Sequence, residues 1–101
     1  MDTLNIKRQK GQTRLQLAPV LDISEARNLH QSLGKAMKRK PPLVLDASQV
    51  ERIDTAAIQI LAAFCHSTRE NNIEISWDKP SINLRRTAKS MGLNTILGLP
   101  A

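Results

Sequence analysis

Hydrophobic and polar residues alternate at the start of the chain. Leu4 and Ile6 alternate with polar neighbours, and Leu15 and Leu17 do so again after segment 9–12, which contains a glycine. A period of two is typical of a half-buried strand, and a short glycine-containing connection is typical of a hairpin. We therefore predict two antiparallel strands joined by a turn in which glycine supplies any positive φ.

The pattern changes to a helical period after Pro19. The residues at helical spacing are Ile23, Ala26, His30, Leu33 and Met37. Asp22 precedes them as a candidate N-cap, and Glu25 is placed as in a capping box. This spacing predicts a helix over residues 23–38 whose stripe faces the core, ended by the pair Pro41-Pro42. On such a stripe we expect His30 to be a partly buried histidine, not a metal ligand.

The second half of the chain alternates between short apolar runs and helical patterns. The unbroken run Leu43–Leu45 predicts a central strand covered on both faces and parallel to its neighbour. After a loop over 46–53, a helix is predicted over 55–70. Its apolar face comprises Ala57, Ile58, Leu61, Phe64, Cys65 and Thr68. A strand around 73–77 and a helix from Pro80-Ser81 to Gly92 follow, and we expect a short helical turn within 93–99.

The resulting element order is β-β-α-β-α-β-α. It predicts an α/β fold, namely a small mixed β-sheet with helices mainly on one face. We expect a single domain over residues 1–101, because 101 residues that are 41% hydrophobic suffice for one core.

Composition narrows the possible functions. The net charge is +6, and the densest basic cluster, within 35–40, lies at a predicted helix end, where the macrodipole favours cations. Aromatic residues make up 2% of the chain, which leaves few stacking platforms, so we do not predict nucleic-acid binding. The chain has no apolar run long enough for a bilayer span and no secretory signal pattern. We therefore expect a soluble, cytoplasmic protein without direct membrane insertion.

The candidate catalytic residues are few. The two histidines lie on different predicted helices, the four glycines are scattered, and Cys65 falls on an apolar helix face. We therefore predict no catalytic residue, no metal site and no cofactor, and we expect that the protein is not an enzyme. Asp46 and Asp54 flank one loop, where a loop cap and a helix cap are the expected roles.

The most informative segment runs from Leu43 to Leu61. Ligands of α/β sheets gather at the carboxyl ends of strands, and a helix N-terminus offers free N–H groups. Asp54 and Thr55 stand at the start of the predicted second helix. By spacing alone, they are either simple N-cap residues or part of a binding site.

This segment resembles the STAS domain, the family of bacterial anti-sigma factor antagonists and of sulfate transporter tails. The resemblance rests on Leu43-Val44-Leu45-Asp46 and on Ile53-Asp54-Thr55-Ala56-Ala57, together with the element order. It implies a non-catalytic protein-binding domain whose partner is a kinase-type anti-sigma factor or a phosphatase. In the antagonists a partner kinase phosphorylates the hydroxyl residue after the second Asp, which implies Thr55 as the acceptor here. This sequence has Thr55 where the family more often has Ser, and Ala57 where Gly is common.

The Asp-Thr pair is also similar to the small STAS subunit of bacterial phospholipid-transport ABC systems, which binds the ATPase subunit. In either case, we expect a docking face around the start of the second helix. Its candidate residues are Asp22, Ser48, Gln49, Glu51, Arg52, Asp54, Thr55, Ala56 and Gln59. Phosphorylation of Thr55 would add about −1.5 to −2 charges at its centre. The sequence leaves the oligomeric state open.

Overall fold

The computed structural model describes residues 4–99. The strands are β1 (Leu4–Gln9), β2 (Gln12–Leu17), β3 (Val20–Leu21), β4 (Leu43–Asp46), β5 (Arg52–Ile53) and β6 (Ile75–Asp78). The helices are α1 (Ala26–Ala36), α2 (Thr55–Glu70), α3 (Ile82–Ser90) and α4 (Asn94–Leu97), and a 3-10 turn (Ile23–Glu25) precedes α1. The predicted α/β class and the order of the major elements are therefore confirmed.

The main sheet has four strands in the order β1-β2-β4-β6. β1 and β2 are antiparallel, whereas β4 runs parallel to both β2 and β6, so the sheet is mixed as predicted. The β1–β2 turn places Gln9 opposite Gln12, and both Lys10 and Gly11 have positive φ angles, of 52° and 77°. Two consecutive positive φ angles produce the two-residue turn whose twist suits a hairpin.

The helices pack on one face of this sheet. The strand register aligns Leu15, Leu45 and Trp77 on that face, and the two leucines are fully buried in the core. The opposite face carries Arg14, Val44 and other mostly polar residues. Val44 is only 5% exposed yet lies outside the core cluster. The Arg14 side chain, which reaches across β4 towards β6, helps to cover it.

All four residues of β4 are buried, as expected of a central strand covered on both faces, and helices supply this cover on one face only, in agreement with the predicted architecture. In the run Leu43–Leu45, the two leucines are buried in the core, and Val44 between them is covered by neighbouring side chains of the open face. An uninterrupted apolar strand thus needs only one helical layer when a long side chain crosses its other face.

The start of α1 differs from the prediction. The helix proper begins at Ala26, after the 3-10 turn, and its buried residues are Leu29, Leu33 and Ala36. His30 is exposed, and Ile23 is 73% exposed. The predicted stripe is confirmed at Leu33, and Met37 packs against the core, but it is wrong at Ile23 and His30. A 3-10 turn has about three residues per turn, which puts Ile23 out of line with α1. Leu29, one position before His30, takes the inward place instead.

The later helices agree with the sequence pattern. α2 spans the predicted residues, and its predicted apolar face is buried throughout. Ser81 caps α3 by accepting a hydrogen bond from the Leu84 N–H at 3.1 Å, and Gly92, with φ of +69°, follows its end. Within residues 4–99, no helix has both the length and the apolar character that a bilayer crossing requires.

Candidate docking site

A second, two-stranded sheet fixes the start of α2. β3 and β5 pair in parallel, with Val20 opposite Arg52 and Leu21 opposite Ile53. The Asp54 N–H donates to the Leu21 carbonyl at 3.0 Å, which extends this pairing to the first residue before α2. These strands were not predicted from the sequence, because each has two residues and its partner lies about thirty residues away. Their pairing holds the segment before α1 next to the segment before α2.

Asp54 occupies the N-cap position of α2 but does not cap it. Its backbone is extended, with φ of −89° and ψ of 164°, and its side chain makes no capping hydrogen bond. Its Oδ2 instead accepts from the Ile23 N–H at 3.1 Å, at the start of the 3-10 turn. The expected role of Asp54 as a side-chain cap is therefore wrong. The carboxylate ties two helix starts together and leaves the first N–H groups of α2 without a side-chain acceptor.

Thr55 is the first residue of α2, and its side chain is exposed. It lies in a shallow concavity of about 420 Å³. The lining residues are Ile23, Ile53, Asp54, Thr55, Ala56 and Thr87. α3 contributes Thr87 because the Asn83 side-chain amide donates to the Glu51 carbonyl at 2.6 Å and holds α3 beside β5.

The exposed large hydrophobic residues of the described chain all lie on elements around this concavity. Val20 is 40% exposed, Ile23 73% and Ile82 64%. Val20 belongs to β3, and Ile82 begins α3, next to the Asn83 contact with β5. We call the surface formed by Ile23, Asp54, Thr55, Ala56 and Thr87 the Thr55 face. The exposed Ile23 side chain forms an apolar rim beside the hydroxyls of Thr55 and Thr87, and exposed apolar surface bordered by polar groups is typical of a binding site.

Asp22 and Arg52 stand next to the Thr55 face. Asp22 accepts from the Ser24 N–H at 3.1 Å and so caps the 3-10 turn, whereas the Glu25 carboxylate accepts from the Asn28 amide at 3.3 Å and does not complete a capping box. The hydrogen bond from the Ser24 hydroxyl lowers the pKa of Asp22, and Arg52 lowers it further through its charge. Asp22 therefore stays ionised beside a cation at neutral pH.

Asp46 caps the loop that leaves β4, as expected. Its Oδ1 accepts from the Ser48 N–H at 3.0 Å and from the Ser48 hydroxyl at 2.7 Å, and its Oδ2 accepts from the Arg14 guanidinium at 3.0 Å. Burial alone would raise the pKa of Asp46, but these hydrogen bonds outweigh it and lower the pKa. The same guanidinium also bonds to Asp78, and this contact raises the pKa of Arg14.

The structure brings together only part of the predicted set. Asp54, Thr55 and Ala56 line the concavity, while Ser48 and Gln49 are exposed on the loop after Asp46 and are not among its lining residues. Arg52, Glu51 and Gln59 are exposed. Gln59 stands one helical turn after Thr55.

The exposed apolar residues on and near the Thr55 face were not predicted from the sequence. Ile23 was assigned to the core, and Val20, Ile82 and Thr87 were given no role. For α3, the only available signal was an isoleucine at the first helical position, outside the inward pattern of Leu84 and Ala88.

The described residues 4–99 contain no group of side chains arranged for metal binding and no accessible thiol. Among residues 4–99, no cluster of three His, Cys, Asp or Glu side chains is placed to hold a metal ion. Cys65 is buried in the core, and burial raises its pKa to about 11. A thiol in that setting acts as a small apolar group.

Comparisons with known proteins place this fold in one class, the STAS domains. The family model described as "Mlab, STAS domain" matches residues 4–99. The chain therefore belongs to the STAS domain family. No curated protein gives a significant match.

Solved structures show the same fold. The structure of an anti-sigma factor antagonist from Mycobacterium paratuberculosis superposes with a TM-score of 0.73 at 23% identity, over 92% of this chain and 80% of that one. A candidate anti-sigma factor antagonist from Thermotoga maritima gives 0.73 at 18% identity, over 93% and 82%. The crystal structure of Mglu gives 0.66 at 18% identity; the match covers 77% of this chain and only 20% of that protein. At these identities the likeness concerns the fold alone.

Proposed function

We propose that the chain is a single STAS domain over residues 1–101 that acts in the cytoplasm as a non-catalytic protein-interaction module. Its binding site is the Thr55 face, and its partner belongs to a bacterial signalling system of the anti-sigma factor type. The observation that carries this proposal is that the exposed hydroxyl of Thr55 shares one concavity with Ile23, which is 73% exposed. Family membership and the likeness to anti-sigma factor antagonists support the same interpretation.

Phosphorylation of Thr55 is the proposed control of this contact. The N–H groups at the start of α2, which Asp54 does not cap, and the exposed Arg52 guanidinium would donate to phosphate oxygens, but the adjacent Asp54 carboxylate would repel the phosphate. A partner surface that fits an apolar rim and a neutral hydroxyl would have to desolvate the new charge. We expect a loss of about 3 kcal/mol, or roughly 150-fold in affinity.

Three variants test the site in one binding assay with the partner recovered from the native host. Thr55→Glu introduces the charge, Thr55→Val removes only the hydroxyl, and Ile23→Asp disrupts the apolar rim. Thr95→Glu is the matched control, because Thr95 is exposed on α4. α4 lies at the far end of α2, where Arg69 donates to the Ile96 carbonyl at 2.5 Å.

We expect Thr55→Glu and Ile23→Asp to weaken binding by about 100-fold, and Thr95→Glu to leave it unchanged. If Thr55→Glu binds the partner with wild-type affinity, the phosphorylation switch is refuted. If only Ile23→Asp then loses affinity, the Thr55 face is still supported as the binding site. Wild-type affinity for both would refute the face itself. Mass spectrometry of the Thr55 peptide, with a kinase or phosphatase as partner, would establish the modification.

The second candidate function is that of an accessory subunit which binds the ATPase of a phospholipid-transport ABC system. The extent of the apolar rim favours this alternative, since exposed isoleucines suit a lasting complex that needs no modification. It predicts co-purification with an ATPase and an unmodified Thr55. It also predicts that Thr55→Val weakens the complex, because the hydroxyl itself would be the contact.

A further inference from the structure

The end of the molecule near the β1–β2 turn carries a concentrated positive charge. Lys38, Arg39 and Lys40 follow α1, and all three are exposed. The hairpin adds Arg8 and Lys10, which are also exposed. We call these five residues the basic end. The fold assembles it from two separate segments, so the stabilisation of a helix end by cations does not explain it as a whole.

Backbone contacts fix this arrangement. The Arg8 guanidinium donates to the Lys40 carbonyl at 2.8 Å and to the Gly11 carbonyl at 3.0 Å. The Thr13 hydroxyl donates to the same Lys40 carbonyl at 2.6 Å, and the Thr13 N–H donates to the Pro42 carbonyl at 2.9 Å. The hairpin and the segment after α1 are therefore held side by side.

Few acidic residues offset this charge. Neither residues 4–21 nor residues 26–45 contain Asp or Glu. Among the described contacts, one brings an acidic residue, Glu74, near the basic end: its backbone carbonyl accepts from the Leu43 N–H at 2.9 Å. The excess of cations is therefore local to this end of the fold.

The basic end and the Thr55 face lie at opposite ends of the parallel strands. β4 begins at Leu43, directly after the basic segment, and ends at Asp46, from which the chain continues to β5 and Thr55. A strand of this length separates its two terminal Cα atoms by about 10 Å. A surface bound at the basic end would therefore leave the Thr55 face open to a protein partner.

The chemistry of the basic end suits a bilayer better than a nucleic acid. Single strands need aromatic platforms, but Phe64 is buried and the Trp77 indole N–H is committed to the Leu97 carbonyl at 2.7 Å. A cluster of four to eight Lys and Arg residues is typical of attraction to anionic lipid headgroups.

We propose that the basic end binds the surface of bilayers rich in anionic phospholipid, peripherally and without insertion. The test measures co-sedimentation of the full chain with vesicles of phosphatidylcholine alone or with about one third phosphatidylglycerol, at low and high salt. The variant is K38Q/R39Q/K40Q. Its matched control, R85Q/R86Q/K89Q, removes three positive charges from exposed positions of α3.

We expect the wild-type chain to bind the anionic vesicles only, and salt to reduce this binding. The affinity of K38Q/R39Q/K40Q for these vesicles should be roughly 100-fold lower, whereas that of the control variant should stay within a few-fold of wild type. An equal loss in both variants would overturn the proposal, because net charge alone would then explain binding. Absence of vesicle binding at low salt would also overturn it. So would tighter binding to duplex DNA than to vesicles under the same salt, lost in the same variant. The melting temperatures of both variants establish that each is folded.

Discussion

At the scale of single residues, Arg14 is the main polar link on the open face of the sheet. It starts on β2 and bonds to Asp46 on β4 and Asp78 on β6, so one side chain joins three strands. Asp46 in turn fixes the loop after β4 through Ser48. A charge-assisted bond of this kind is stronger than a neutral one, and partial burial reduces screening by solvent. The loop that leads to the Thr55 face therefore depends on the ionised state of Asp46.

This dependence predicts how stability changes with pH. The pKa of Asp46 is lower in the folded protein than its ordinary value of 3.8. Its ionisation therefore stabilises the fold fully above about pH 4, and this contribution is lost as the pH falls through the folded pKa. Asp46→Asn should lower the free energy of unfolding by about 1–2 kcal/mol at pH 7 and flatten its decline below pH 4.

Urea unfolding at pH 7, 5 and 3 measures both effects. Glu74→Gln is the control, because Glu74 is exposed and we expect it to keep the wild-type pH dependence. An Asp46→Asn protein whose stability still declined with acid as steeply as wild type would show that the Arg14 contacts do not carry this effect.

At the scale of elements, α2 was predictable and the junctions were not. α2 has sixteen residues with a continuous apolar face, so local periodicity decides both its type and its limits. The start of α1 was not predictable, because a 3-10 turn changes the angular spacing between Ile23 and Leu29. β3 and β5 were missed because their pairing is long-range and each is too short to show a pattern. The Thr55 face is built on these junctions, which is why the sequence located Thr55 but not its apolar rim.

Two glycines give a prediction about helix α1 and the end of α3. Gly34 lies inside α1, and a Cβ added there would meet nothing within 4 Å. Gly34→Ala should therefore raise stability by about 1 kcal/mol, since alanine favours the helix. Gly92→Ala is the matched change, because its Cβ would also meet open space but its φ is +69°. That change should lower stability by about 1 kcal/mol.

Thermal unfolding of both variants measures the difference. For a domain of this size, about 1 kcal/mol corresponds to a shift of roughly 4–8 °C, upward for Gly34→Ala and downward for Gly92→Ala. Equal shifts in the two variants would mean that backbone conformation does not decide the effect at these sites.

At the scale of the whole molecule, the two faces of the sheet are stabilised in different ways. The core lies between the sheet and the helices, whereas the open face relies on Arg14 and its carboxylate partners. The Thr55 face stands at the carboxyl end of β4 and the basic end at its start. The class of fold followed from the element order alone. The relation between the two ends needed the strand pairing, which joins residues far apart in sequence.

The single cysteine tests whether this core opens as one unit. Cys65 is 1% exposed on the inner face of α2, and its pKa is raised to about 11 by burial, so its thiolate is scarce and unreachable in the folded state. Alkylation by iodoacetamide at pH 8 should therefore require global unfolding, and its rate should rise with urea with the same dependence as the unfolding free energy. Cys65→Ala combined with Ser90→Cys, an exposed position at the end of α3, should react at the rate of a free thiol. Rapid alkylation of Cys65 without urea would show instead that α2 separates from the sheet locally, and the Thr55 face at its start would then be a mobile surface.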